Sequence, residues 1–582
     1  MRESELGELA KLLAEFHDEY RTVREDEISR FQFLCDSMFS VFTSRDHRRL
    51  ADGSTVDWLP AAGNLDTGDS GFPPPQEVVE TLTDMSTIWR ELPRYVGPET
   101  EPALEEAVAR FLRDEGLALA TELDRLGTVV GCGTVNLFDA LCRDLVQRPG
   151  DVILMPSVGY GFFLAQPYRA GGAVEMVECE QTGRVRPDVL ARRIAEVDQE
   201  LYRRWFPLRH AHVTLGLQDA RRRGLVTIPE DDLAALVDRF VDGLPTDAAP
   251  GRRELRRRLL TALPRRQPVR QDPRRDLVNL VRPPAVRALL HISPAVTGHV
   301  YREYEVAELG AVLRTADIAV VEDLAYHSVR LSGDRLHSLQ GRVPTCHTLL
   351  GLSKPFGMAN IRVGLMLVDR RDVKRLRRLV ENSVGFVPLV AQRAAAAALG
   401  LHRQRADDYL HRASHDPYLG YENRLTMFRA MLRGTAVQPV PEHVETEIRR
   451  YALALLGEKR AAGTEVTGDT DGDRRLVDEF LQEGLSRWFT LAHEPEAGFF
   501  GVVDCRPLLA RGTLTRAGIE ARTAFDVFAF LAYTLGVRTI PEEGMRLPTN
   551  RTRLLRMSFS PAPRMLVECL FSVYSGLRFL EG

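Results

Sequence analysis

Seven short apolar runs, separated by helical stretches and turns, constrain the fold of this chain more than any other feature. Leu126 to Val130, Val152 to Met155, Ala173 to Val177, Ala288 to Ile292, Ile318 to Val321, Leu349 to Leu352 and Val363 to Val368 are near-continuous in apolar residues rather than alternating. That pattern marks strands buried on both faces. Asn136 to Val146 and Glu305 to Leu313 carry helical spacing between them, and Pro149-Gly150-Asp151 marks a turn. The expectation is an α/β fold with a mostly parallel central sheet covered on both faces, in which ligands bind at the carboxyl ends of the strands.

Two stretches break this rhythm. From about 189 to 286 the chain runs far beyond the roughly 2–6 residues of a tight connection, and Arg252 to Arg282 holds eleven arginines. A second stretch, 434–488, has a Gly/Asp-rich patch at Thr467 to Asp473. Both read as insertions with helices of their own. Before the first strand, Leu6, Leu9, Leu13, Phe16 and Tyr20 recur at helical spacing, so 1–63 reads as a helical extension leading into Asn64-Leu65-Asp66-Thr67-Gly68.

Composition narrows the function classes. The first twenty residues place Glu3, Glu5, Glu8 and Lys11 among the leucines, which is unlike a signal peptide, and no apolar run reaches membrane-spanning length. A cytoplasmic protein without membrane contact is expected. A formal net charge of −4 and the lack of a clear helix-turn-helix before Asn64 argue against a nucleic-acid partner. The seven cysteines form no Cys-x-x-Cys pair, and His210-Ala211-His212 has no third ligand nearby, so no metal is expected.

The chain has only four lysines, and Lys354 stands out among them. It follows the apolar run Leu349 to Leu352, with Ser353 before it and Arg362 eight residues on. That arrangement offers an amine for a carbonyl cofactor and two groups for a phosphate, the combination pyridoxal 5'-phosphate needs. Asp323, in Glu322-Asp323-Leu324-Ala325-Tyr326, closes another strand, and the turn Gly131-Cys132-Gly133-Thr134 lies between a strand and a helix. A helix start of that kind can cradle a phosphate.

Ser-Lys-x-x-Gly-x-x-x-x-Arg-x-Gly, complete here with Gly364, resembles the lysine motif of the class I/II aminotransferases, which are fold-type I pyridoxal-phosphate enzymes. The resemblance implies a large cofactor-binding domain over 98–380 and a smaller α+β domain built from 64–97 and 381–582. It implies that Lys354 forms a Schiff base leading to a quinonoid, that Asp323 holds the pyridinium nitrogen protonated, and that Tyr326 bonds the ring's phenolic oxygen. Cys132, Gly133, Thr134, Ser353 and Arg362 would bind the phosphate, Tyr160 would stack on the ring, and Arg556, in Leu555-Arg556-Met557-Ser558-Phe559, would clamp the substrate α-carboxylate. Tyr95 matches the tyrosine that reaches the neighbouring subunit's phosphate, which implies a homodimer.

One position departs from the family pattern. Ala295, in Pro294-Ala295-Val296-Thr297-Gly298, stands where the family carries an asparagine that donates to the phenolic oxygen. One lost hydrogen bond is worth only ~0.5–1.5 kcal/mol, too little to forbid the cofactor. Two reactions on an amino-acid substrate therefore stay open: transamination, or elimination, γ-replacement or carbon–carbon bond formation of the kind undergone by S-adenosylmethionine, in specialised metabolism. The arginine-rich insertion reads either as a solvated or dimer-contact surface or, in the sharper alternative, as a surface for a second, anionic substrate near the mouth of the site.

Overall fold

The computed structural model describes residues 3–581 except 24–28, 31, 39–40, 42–64, 67, 69, 85–88, 90–92, 94–96, 98, 118–122, 247–248, 264–272, 332–334, 402–408, 411, 414–415, 417–418, 464–466 and 546–552. Strands β1 (Leu126–Gly131), β2 (Val152–Pro156), β3 (Ala173–Val177), β4 (Val286–Ile292), β5 (Ala319–Asp323), β6 (Cys346–Gly351) and β7 (Gly364–Asp369) form one sheet in the order β1-β7-β6-β5-β4-β2-β3. Every expected apolar run is one of these strands. Neighbours from β6 to β3 are parallel, and β7 alone runs antiparallel to both of its neighbours.

The continuous apolar character has its cause in the layers on either side. Ile153 and Met155 of β2 pack with the helix Thr134–Leu145 on one face, while Val152 and Leu154 pack with Pro187–Trp205 and Glu303–Ala316 on the other. Alternate residues of one strand thus both end in a core, and no position is left for a polar face. The helix Leu389–Leu399 lies beyond the expected domain boundary at 380, yet it packs with Pro102–Glu115 and with Leu350 and Leu365 of the sheet.

A second sheet, antiparallel throughout, is built from β8 (Thr490–Leu491), β9 (Phe500–Asp504), β10 (Ile540–Pro541) and β11 (Leu554–Ser558), in the order β10-β11-β9-β8. Its core takes in the N-terminal helix Glu3–Thr22, whose Phe16 ring stacks on Phe525 at a centroid distance of 3.9 Å. His17 Nε2 meets Asp526 Oδ1 at 2.7 Å, and Tyr533 Oη donates to Glu8 at 2.7 Å. The two helices of the segment 434–488, Glu442–Ala461 and Thr470–Glu483, pack on each other and on the C-terminal helix Pro563–Glu581.

The arginine-rich stretch is a helical lobe rather than a loop. Helices Arg209–Arg222, Glu230–Val241, Arg252–Ala262 and Pro273–Val281 close around Val213, Leu217, Leu236, Phe240, Leu259 and Val278. Pro187–Trp205 was expected inside the insertion, but it covers the central sheet through Leu190, Ile194 and Val197, so the lobe begins after it. The buried Arg282 donates to both oxygens of Asp151 at 2.6 and 2.5 Å, and Asp198 accepts from the Val286 amide at 2.7 Å. Asp151 and Val286 stand at the amino ends of β2 and β4, so the Arg282 pair fastens the lobe, and the Asp198 contact the covering helix, at the end of the sheet away from the ligand-binding edge. Arg257 and Arg258 are ion-paired with Glu254. No helix among the described residues is long and apolar enough to cross a membrane.

Candidate active site

Three chain segments converge at the carboxyl edge of the central sheet. Gly131 at the end of β1 and Gly351 at the end of β6 both pair with Gly364, where the reversed strand β7 begins. A side chain at Gly364 would press within 2.8 Å of the Gly133 carbonyl carbon, so only glycine lets the 131–134 turn close onto the sheet. Gly133 caps the helix Thr134–Leu145 with φ of 89°, and a Cβ there would sit 3.2 Å from the Arg362 guanidinium. Arg362 itself has φ of 56°, a left-handed conformation uncommon for a residue with a side chain.

Beside this turn lies a cavity of about 560 Å³. Its walls bring together Gly133, Thr134, Tyr160, Asp323, Tyr326, Ser353, Lys354, Arg362 and Arg556, residues drawn from both sheets. Cys132 does not line it; that residue's amide donates to Asn136 Oδ1 at 3.1 Å, which leaves the next two residues of the turn to face the cavity. Tyr95 lies outside the described residues.

Asp323 ends β5 and is only 5% exposed. Its Oδ1 accepts from the Ala325 amide at 3.1 Å, and burial raises its carboxyl to about 7. A buried acid with so little compensation suits a cationic ring nitrogen placed against it. Tyr326 stands edge-on to Phe499 and Phe500 at 5.5 and 5.9 Å, and burial pushes its phenol well above the usual range, so it stays a hydrogen-bond donor. Lys354 Nζ donates to the Gly68 carbonyl.

Arg556, on β11, is almost fully buried, and its guanidinium lies 4.0 Å over the Phe500 ring. Its Nη2 donates to the Asp66 carbonyl at 3.1 Å, while Nε is buried without a hydrogen-bond partner. Burial lowers its pKa, opposed by Tyr326, Tyr160 and Asp66. An arginine held this way is poised for an anion from the cavity.

These residues fit pyridoxal phosphate. Gly133, Thr134, Ser353 and Arg362 stand together beside the turn, where a Cβ at residue 133 would crowd the Arg362 guanidinium and where they would hold its phosphate, and the carboxylate, phenol and amine that its ring and aldehyde would need, Asp323, Tyr326 and Lys354, line the same cavity. The departure at 295 takes a specific form: Ala295 packs with Tyr301 on the far face of the sheet, and Val296 lines the cavity.

Several lining residues carried no local signal: Cys35, Met38, Ile540 and Gly544. In the register of the second sheet Ile540 pairs with Arg556, and Val502 stands opposite it on the other side, so Phe500 is a diagonal neighbour on the same face. That relationship becomes visible only when the strand pairing is known.

Comparison with known proteins agrees with this geometry. The profile of the family "Aminotransferase class I and II" matches residues 61–202 and 276–443, a little over half of the chain, and passes over much of the helical lobe. A 138-residue stretch is 30% identical to an aspartate aminotransferase of Thermococcus kodakarensis; it covers 24% of this chain and 35% of that protein's length. The fold is similar to the aspartate aminotransferase of Rhizobium meliloti, with a TM-score of 0.53 at 15% identity over 92% of this chain and 95% of that one. It is also similar to an aromatic aminotransferase of Pyrococcus horikoshii, with a TM-score of 0.51 at 15% identity over 89% and 96% of the two chains. The chain therefore belongs to the class I and II aminotransferase family and is a pyridoxal-phosphate-dependent transferase.

Proposed function

We propose that the enzyme transfers the amino group of an α-amino acid, with Lys354 as the residue that carries the cofactor and then moves the substrate's proton. The observation that supports this most is the meeting of Lys354, Asp323, Tyr326, Arg362 and Arg556 on one cavity, although they come from strands of two different sheets and from the segments that adjoin those strands. When bound, pyridoxal phosphate supplies an electron sink for the carbanion left by loss of the α-proton. The protein's own part is to place and protonate. Arg556 holds the α-carboxylate in a charge-assisted pair, which sets the α-carbon beside Lys354. The Lys354 amine would take up the α-proton and hold it for return. Asp323, ionised once the cationic ring is beside it, keeps the ring nitrogen protonated. Gly133, Thr134, Ser353 and Arg362 fix the phosphate. The working unit in this reading is a homodimer in which Tyr95 of each chain completes its neighbour's phosphate site.

Val296 at the cavity wall favours a second reading of the reaction. An apolar group offers no hydrogen bond to the ring oxygen, which leaves Tyr326 as the donor there, and this change fits elimination, γ-replacement or carbon–carbon bond formation as an alternative to transamination. No described residue of the helical lobe lines the cavity, so a second anionic substrate held by its arginines has no support from this placement. Incubation of the loaded enzyme with amino acids, with and without an α-keto acid, and mass spectrometry of the products separates the readings. Transamination requires a new amino acid formed from the keto acid. Products that form equally well without a keto acid belong to the second reading.

A further inference from the structure

Cys35 and Met38 belong to the N-terminal extension, ahead of the stretch that matches the family, yet both line the active-site cavity. Residues 32–38 are helical. Cys35 packs against the core that contains Ile292 of the central sheet and Val296 just beyond it, while Met38 packs against the core of the second sheet. The segment therefore spans the cavity from one domain to the other. It is anchored by Leu34 and Val41, which are 1% and 0% exposed.

The wall it forms is apolar and adjoins the carboxylate end of the site. Ile540 is the cross-strand partner of Arg556, and Gly544 lies so near the extension that a Cβ on it would stand 3.7 Å from Met38 Sδ and 3.3 Å from Ile540. The missing side chain at Gly544 leaves room between them. Among the described residues of the chain, the charged groups on the cavity are Asp66, Asp323, Lys354, Arg362 and Arg556. In the reading proposed above the last four are taken by cofactor and α-carboxylate. Asp66 faces Arg538 at 3.7 Å and is itself an anion, so it repels rather than holds a second carboxylate.

We propose that Cys35, Met38, Ile540 and Gly544 form the subsite for the substrate side chain, and that this subsite selects amino acids with uncharged, apolar side chains over dicarboxylic ones. The proposal rests on the amino-acid reading of the site. Burying a carboxylate against Met38 and Ile540 without a cation costs far more than the transfer of methylenes gains.

The test is a titration of the cofactor-loaded protein with L-leucine, L-methionine, L-alanine and L-aspartate, followed by the cofactor's visible spectrum. L-leucine and L-methionine should half-saturate the wild type at concentrations at least roughly tenfold below L-aspartate, the discrimination expected of a few buried methylenes. Met38→Arg should shift that ratio toward L-aspartate by roughly tenfold or more. Gly544→Leu should weaken L-leucine by a similar factor and leave L-alanine within about threefold, since it fills the far end of the subsite. A spectral response whose ranking is unchanged in both cofactor-loaded variants, or a wild type that prefers L-aspartate, overturns the subsite alone. Absence of any response to any amino acid overturns the amino-acid reading and the subsite with it.

Discussion

The Arg556 guanidinium lies over the Phe500 ring, 4.0 Å from its centroid, and is steadied by the Asp66 carbonyl. A buried cation over an aromatic face is held by the ring quadrupole, worth ~2 kcal/mol or more when desolvated, and its free edge is left for an anion. Arg556→Ala should retain the cofactor's visible spectrum and weaken amino-acid binding by about 100-fold or more, the scale of a lost buried charge pair. Spectral titration measures it, and unchanged affinity means the carboxylate is held elsewhere.

Lys354 is the one lysine of the four on the cavity. Borohydride reduction of the loaded enzyme followed by peptide mapping should place the pyridoxyl group on Lys354. A label on Lys11, Lys374 or Lys459 rejects the assignment.

Asp323 makes a pH-dependent prediction for the cofactor-free protein. Its folded pKa, about 7, lies above the ordinary carboxylate value near 3.9, so the folded chain keeps a proton that the unfolded chain loses. The stability it contributes is complete below about pH 4 and is lost as pH rises through about 7. Asparagine never ionises and can still accept from the Ala325 amide. Cofactor-free Asp323→Asn should therefore unfold at a higher temperature than wild type at pH 8, with a smaller gap at pH 5. Added cofactor should reverse the order at pH 8, because only the aspartate pairs with a cationic ring. Calorimetry at both pH values, with and without cofactor, checks both signs.

The Arg282 and Asp151 pair should matter for stability and not for the site. Asp151 is fully buried, so Arg282→Ala removes its bidentate partner, leaves only the more distant Arg287 at 3.9 Å as a cation, and should cost ~3–5 kcal/mol. Because the pair lies at the amino ends of the strands, cofactor affinity should stay within about twofold under conditions where the variant is folded. Denaturant unfolding and a cofactor titration read the two quantities separately.

Subunit sharing can be tested by complementation. Mixed Lys354→Ala and Tyr95→Phe chains should regain part of the activity that each lacks or has reduced, since a hybrid holds one site with both residues intact. Demonstrated subunit exchange without any recovery points to self-contained sites.

Much of this protein was legible in its residues alone. Strands buried on both faces have to be apolar throughout, so all seven could be read locally. Lys354, Ser353, Arg362, Asp323 and the 131–134 turn stood out by residue type and by the order they share with the family, and the structure brings the four side chains and the second half of the turn to one cavity. The helix Pro187–Trp205 has the same amphipathic pattern whether it covers a sheet or joins an insertion, and only its contacts with the central sheet decided which. Tertiary structure alone brought Cys35, Met38, Ile540 and Gly544 to the cavity, from the two ends of the chain. A half-buried cysteine or methionine on a helix has the same local signature wherever it packs, and strand register, which set Ile540 and Phe500 beside Arg556, is a property of paired strands rather than of any one of them.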